Sequence, residues 1–197
     1  MLKIAVTGPS GSGKGYICSI LERWGIPCLD CDRVVHEIYK DDAFARALSS
    51  ALKSDVSSSK GGVDRGLLRP LVFGNKENMA ILQSVIYPPV RQRCLAFLEQ
   101  AQQRGVPAAA VDAPQLFEAG FEGDYRLIVS VAAPEEERIL RIMQRDGIDR
   151  SAALARMAEQ MSNEEYAARS HAVIANGAGD DPERALSELL CRYGVCL

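Results

Sequence analysis

No apolar run in the 197 residues approaches the length of a membrane span, and the N-terminus lacks the basic segment and short apolar core of a secretory signal. A cytoplasmic protein is therefore expected. Positive charge is not in excess: 23 Lys and Arg against 26 Asp and Glu leave a net charge of −3. That balance gives no bulk attraction to nucleic acid or to an anionic membrane, so neither is an expected partner and any anion site must be local. There are no internal repeats or low-complexity tails, and the length does not suit two full domains. With 47% hydrophobic and 25% charged residues, the chain fits one globular α/β domain with a sizeable core. Six cysteines without an export signal point to reduced thiols rather than a disulfide framework. Cys28-Leu-Asp-Cys31 has C-x-x-C spacing, but zinc needs two further ligands, and Cys191 with Cys196 is the only obvious second pair. A redox motif opens a helix, whereas these cysteines are expected to end a strand.

What the chain does have is Gly8-Pro9-Ser10-Gly11-Ser12-Gly13-Lys14-Gly15. It follows the apolar run Leu2, Ile4, Ala5, Val6 and precedes the helical pattern Ile17, Ile20, Leu21, Trp24, so strand, glycine loop and helix come in that order. The glycines let the backbone approach an anion, the helix start adds its positive dipole end, and Lys14 reaches outer phosphates as a point charge. This is the P-loop arrangement G-x-x-x-x-G-K. It departs from the pattern after the lysine, where Gly15 stands in place of the Ser or Thr hydroxyl that meets Mg2+, and Tyr16 does not replace it.

Strands alternate with helices along the rest of the chain, which predicts an α/β fold with a parallel sheet flanked by helices. Cys28-Leu29 is expected to be a second strand whose carboxyl end delivers Asp30 and Asp32 beside the loop, as acids for chemistry or as caps of the next helix. Residues from about 33 to 105 read as a helical insertion, either for substrate or for packing alone. Within it, Ser57 to Gly62 is a polar stretch expected to be mobile, and Pro88-Pro89 is expected to break the helical pattern. Ala108 to Val111 forms a strand ending in Asp112, a candidate for holding Mg2+ or its water shell, as is Asp30; Glu118 is a further acid or plain surface. Leu127 to Val131 is the next strand. The helix after Pro134 carries Arg138, Arg141 and Arg145 on one face. Arg141 and Arg145 are expected to act from a lid spanning about 134 to 168, and Arg138 to be structural. Ser162-Asn-Glu-Glu165 reads as a capping box, and Ala172 to Ala175 as a last strand ending in Asn176-Gly177.

With these residues in view, the chain resembles the dephospho-coenzyme A kinases from the loop to the last strand. Gly25-Ile-Pro-Cys-Leu-Asp30-Cys-Asp32 is similar to the family's "G…(V/I)DAD" segment. Gly62-Val-Asp-Arg65 with Leu68, Val72-Phe73 and Ile86-Tyr87-Pro88 resembles "G-x-(I/L)-D-R…L…VF…HP", with Tyr87 in place of His. Asp112-Ala-Pro114-Gln-Leu116-Phe117-Glu118 resembles "D-x-P-L-L-F-E", and Arg141-Ile-Met-Gln-Arg145-Asp146 resembles the lid. Arg156 through Gln160 to Asn176-Gly177 follows the closing block, with Tyr166 and His171 as departures at its lysine and aspartate.

The resemblance implies a P-loop kinase core with a helical substrate region and a lid, and ATP- and Mg2+-dependent phosphorylation of the 3′-hydroxyl of dephospho-CoA. It implies Asp32 as the acid at that hydroxyl, with Asp30 the lesser candidate. Gly11, Ser12, Gly13, Lys14, Gly15, Tyr16 and Asn176 are expected to hold the nucleotide, and Arg141 and Arg145 to neutralise the transferring group. A nucleoside monophosphate kinase and a nucleotide-binding module without catalysis are the alternatives.

Overall fold

A run of apolar, partly β-branched residues can be a strand only if both of its faces are covered, and in the computed structural model Ile4, Ala5 and Val6 are fully buried in β1 (Leu2–Thr7). The structure describes residues 1–196. After β1 come α1 (Lys14–Arg23), β2 (Cys28–Asp30), α2 (Cys31–Ile38), α3 (Asp42–Leu52), α4 (Arg65–Val72) and α5 (Lys76–Gln103). There follow β3 (Ala108–Asp112), a 3-10 turn (Glu122–Asp124), β4 (Leu127–Ala132), α6 (Glu135–Asp146), α7 (Arg150–Ala158), α8 (Asn163–Arg169), β5 (Ala172–Ala175) and α9 (Pro182–Arg192). No helix among the described residues is long and apolar enough to cross a membrane.

The chain divides into two compact units, one of residues 1–29 with 98 onward and one of Asp30–Phe97. The first is built on a five-stranded sheet in the order β2-β3-β1-β4-β5. β1 pairs in parallel with β3 and β4, and β4 with β5. Its core joins Ile4 and Val6 to Ile17, Ile20 and Leu21 of α1, Val129 of β4, and Leu186 and Leu190 of α9. Each such side chain contributes about 1.5–3 kcal/mol on burial. A smaller cluster of Ile139, Ile142 and Ala153 fastens α6 to α7.

The second unit packs Ala45, Leu48, Leu52, Val56, Val63, Leu68 and Val72 into its own core. Aspartates start three of its helices: Asp30 caps α2, Asp41 caps α3 and Asp64 caps α4 through backbone N–H groups of the first turn.

Three local expectations are corrected. Pro88 and Pro89 lie inside the continuous 28-residue α5. Proline's fixed φ is helical, and the lost N–H groups are offset by burial of Ile86, Val90, Cys94 and Leu98 along one face. The stretch Ser57 to Gly62 is tied down. Ser58 N–H donates to Gly62 O (2.8 Å), Gly62 N–H to Asp42 Oδ1 (2.6 Å), and Asp64 N–H to Val56 O (2.7 Å). Finally, only Cys28 belongs to a strand, while Cys31 is the first residue of α2.

Candidate active site

The loop after β1 is held from outside by its carbonyls. Lys14 Nζ donates to Gly8 O (2.9 Å) and Pro9 O (3.5 Å), and Arg138 Nε donates to Ser10 O (3.0 Å). Arg141 Nη1 donates to Gly11 O (3.2 Å) and Ser12 O (3.4 Å), and Asn176 Nδ2 to Ser12 O (2.8 Å). The amide of Ser10 is taken by Gln160 Oε1 at 2.9 Å. Among the described residues the amides of Gly11, Gly13 and Gly15 have no protein acceptor. A loop with its carbonyls anchored and its amides unclaimed is an anion nest.

The start of α1 adds to it. Gly13 is the cap, in the left-handed region at φ 96°, with no side-chain capping bond and no acid in the first turn. Five other helices, α2, α3, α4, α7 and α9, use aspartate at that place; this one leaves its first N–H groups for an anion. Among the described residues the Ser12 and Thr7 hydroxyls are buried with no hydrogen-bond partner. The loop's tightness is enforced by protein contacts. A Cβ at Gly8 would stand 2.5 Å from Val131 O, one at Gly11 2.6 Å from Arg138 O, and one at Gly13 would collide with Asn176 Nδ2. These features fit a nucleotide's phosphates.

Asp112 ends β3 level with Val6, so the parallel register sets this half-buried acid at the edge of the loop. The segment after it is braced by Tyr166, whose OH donates to Pro114 O (3.2 Å) and whose ring lies 5.9 Å from that of Phe117. Burial, with the charge of Glu118, pushes the Tyr166 hydroxyl up to about 12, so it stays a proton donor at neutral pH. Glu118 itself is exposed. The other departure, His171, accepts Ile128 N–H at Nδ1 (2.9 Å), and its backbone N–H donates to Ile128 O (2.9 Å), extending the β4–β5 pairing.

On α6, Arg141 also donates to Glu137 (2.8 Å) and to Asn176 O (2.8 Å). Arg145 makes a two-pronged pair with Asp146 at 2.8 and 2.9 Å, and Arg156 joins the same carboxylate. Arg145 and Arg156 together hold Asp146 below its ordinary pKa. Arg138, read from sequence as structural, is 5% exposed and bonds the loop directly. Burial lowers its pKa. Helical spacing showed which face Arg138 shares but not a partner 128 residues away. Gln160 stood in a matched block without an assigned role.

Arg138→Met is expected to raise the KM for a nucleotide at this loop about tenfold, the scale of one charge-assisted hydrogen bond. Thermal stability should fall by no more than about 1–3 kcal/mol, because Ser10 O loses its donor while a buried guanidinium is replaced by apolar volume. An unchanged KM in steady-state kinetics would show that the bond to Ser10 does not shape the loop.

In the second unit, Asp30 Oδ1 accepts the N–H groups of Asp32 (2.8 Å) and Arg33 (3.3 Å), so the capping alternative for Asp30 is realised. Asp32 lies in the first turn of α2, exposed, and among the described residues its carboxylate has no protein partner. The cysteines do not gather. Cys28 lies against Cys18, Cys31 against Cys94, and Cys196 against Cys191. No group of three metal-ligating side chains occurs among the described residues.

Residues 2–181 match the family model described as dephospho-CoA kinase. The chain is 36% identical over 190 residues to the dephospho-CoA kinase of Thermus thermophilus, covering 95% of this chain and 89% of that one. Among solved structures it is similar to TT1252 from Thermus thermophilus, with a TM-score of 0.80, 34% identity and 97% of each chain covered. The dephospho-CoA kinase from Campylobacter jejuni shares the fold at 24% identity, with a TM-score of 0.72 and 98% of each chain covered.

Proposed function

Because the chain belongs to the dephospho-CoA kinase family, we propose that it transfers the γ-phosphoryl group of ATP to the 3′-hydroxyl of the ribose of dephospho-CoA, completing coenzyme A. The observation that carries the reading is the loop whose carbonyls are clasped and whose glycine amides are unclaimed, beside a helix start with no acid of its own. The acceptor oxygen attacks the γ-phosphorus, the bond to the bridging oxygen breaks, and ADP leaves. Asp32 orients the hydroxyl and takes its proton. Gly11, Ser12, Gly13, Lys14, Gly15 and Tyr16 surround the phosphates, and Lys14 exchanges the carbonyls of Gly8 and Pro9 for phosphate oxygens.

Asn176 holds the loop's outer side, and Arg141, bonded to the carbonyls of Gly11 and Ser12, neutralises the transferring group together with Arg145. Arg145 is the more exposed of the two cations. Its pair with Asp146 is solvent-accessible and worth about 0–1 kcal/mol, so a phosphate can displace it. Mg2+, when bound, would supply charge neutralisation to the transferring group. Asp112 is the acid assigned to holding it or its water. Asp30, with one oxygen committed to the cap of α2, is the lesser candidate.

The test is an acceptor profile. ADP release with dephospho-CoA, and none above background with AMP or CMP, is expected; turnover of a monophosphate without turnover of dephospho-CoA would reject the reading. A second measurement addresses the metal. A Cβ at Gly15 meets nothing within 4 Å, so Gly15→Ser fits without strain. It is expected to retain kcat and to lower the Mg2+ concentration at half-maximal rate several-fold. An unchanged Mg2+ dependence would show that the helix start does not face the metal.

A further inference from the structure

The C-x-x-C spacing conceals two separate contacts. Cys28 lies against the buried Cys18, whereas Cys31 turns to Cys94, with the two sulfurs 3.6 Å apart. Neither Cys31 nor Cys94 is in a disulfide. A disulfide bond is about 2.05 Å long, so an approach of about 1.5 Å joins them. The two thiols are unequal in access. Cys31, the first residue of α2, is half-buried, while Cys94, within α5, is 2% exposed. An accessible thiol that meets an oxidant, backed by a shielded thiol that resolves the product, is the arrangement of a reversible dithiol site. Its location matters as well. Cys31 stands between Asp30, which caps α2, and Asp32 in the first turn.

We propose that Cys31 and Cys94 form an oxidative modification site for small-molecule disulfides of the glutathione class, and that closing it displaces Asp32 and stops phosphoryl transfer. Cys31, as thiolate, attacks one sulfur of the small disulfide. A bond forms between them, the small disulfide's own S–S bond breaks, and one small thiolate leaves. Cys94, as thiolate, then attacks Cys31 Sγ, and the second small thiolate leaves. The two protein thiols lose two electrons and two protons, and the small disulfide takes them up as two thiols. Drawing the sulfurs together pulls the first turn of α2 toward α5 by an ångström or so. Misplacing a reacting group by about 1 Å costs on the order of a hundredfold in rate. The effect on turnover rests on the reading of Asp32 given above, while the cross-link stands on the sulfur geometry alone.

The full-length protein is equilibrated with excess oxidised glutathione, digested under non-reducing conditions and mapped by mass spectrometry, with kcat measured on the same sample. A peptide joining Cys31 to Cys94 is expected, with kcat at least tenfold lower and restored by dithiothreitol. Cys31→Ala is expected to keep full turnover in oxidised glutathione. Cys94→Ala is expected to stop at a glutathione adduct on Cys31. If Cys94→Ala does not fold, Cys31→Ala carries the comparison alone. Absence of the Cys31–Cys94 peptide, or the peptide present with undiminished turnover, overturns the proposal. Asp32→Asn on reduced protein reports on the acid separately, so the two readings fail on different samples.

Discussion

Lys14→Met is expected to lower kcat about a thousandfold, roughly 4 kcal/mol of transition-state stabilisation, while the protein melts within a few degrees of the parent. The two halves of this result have different causes. Lys14 is half-buried, its ammonium donates to the carbonyls of Gly8 and Pro9, and it lies outside the core that Ile17, Ile20 and Leu21 build, so methionine removes charge without opening that core. In phosphoryl transfer, charge accumulates on the transferring oxygens, and little else in the loop balances it, because the glycine amides supply dipoles rather than a full charge. Methionine keeps the length of the side chain and loses only the cation. A coupled assay of ADP release and a thermal melt check both halves. Turnover within a few-fold of the parent would remove the phosphate-cradle assignment.

Asp32→Asn is the second large effect: kcat falls by about two to four orders of magnitude, the range of general-base assistance, with the acceptor KM within about threefold. Asparagine is nearly isosteric and exposed at this position, and the Asp32 N–H bond to Asp30 Oδ1 that fixes the helix start does not involve the substituted side chain. The structural cost is the loss of one acid from the first turn of α2, about 0.3–1 kcal/mol. A change in KM alone would make Asp32 a binding residue and would send the search for the base elsewhere.

Local chemistry made much of the fold legible. Ala108 to Val111, Leu127 to Val131 and Ala172 to Ala175 read as strands and fold as β3, β4 and β5 with ends shifted by at most a residue. The Ser162 box forms both of its reciprocal bonds, Glu165 N–H to Ser162 Oγ and Ser162 N–H to Glu165 Oε2. What failed was inference from single residue types. Pro88-Pro89 signals a break only while nothing else pays for the missing N–H groups, and a buried face does so here. Serines and glycines signal a loose loop only until an acid such as Asp42, 20 residues earlier, accepts one of their amides. The loop's glycines and lysine are close in sequence and could be read together. Arg138, Gln160 and Asn176 reach it across 128 to 164 residues, and no spacing rule carries that distance.

The close contacts at Gly11 and Gly13 bear on how such loops are read in descendants of this chain. Both glycines are demanded by neighbours in the protein, the Arg138 backbone and the Asn176 amide, whether or not a nucleotide ever binds. Selection for folding alone would keep them. A lineage that abandoned catalysis would be free to lose Lys14 while retaining the glycine spacing, because a side chain at position 13 would need both room at Asn176 and a backbone at φ 96° that side chains rarely adopt.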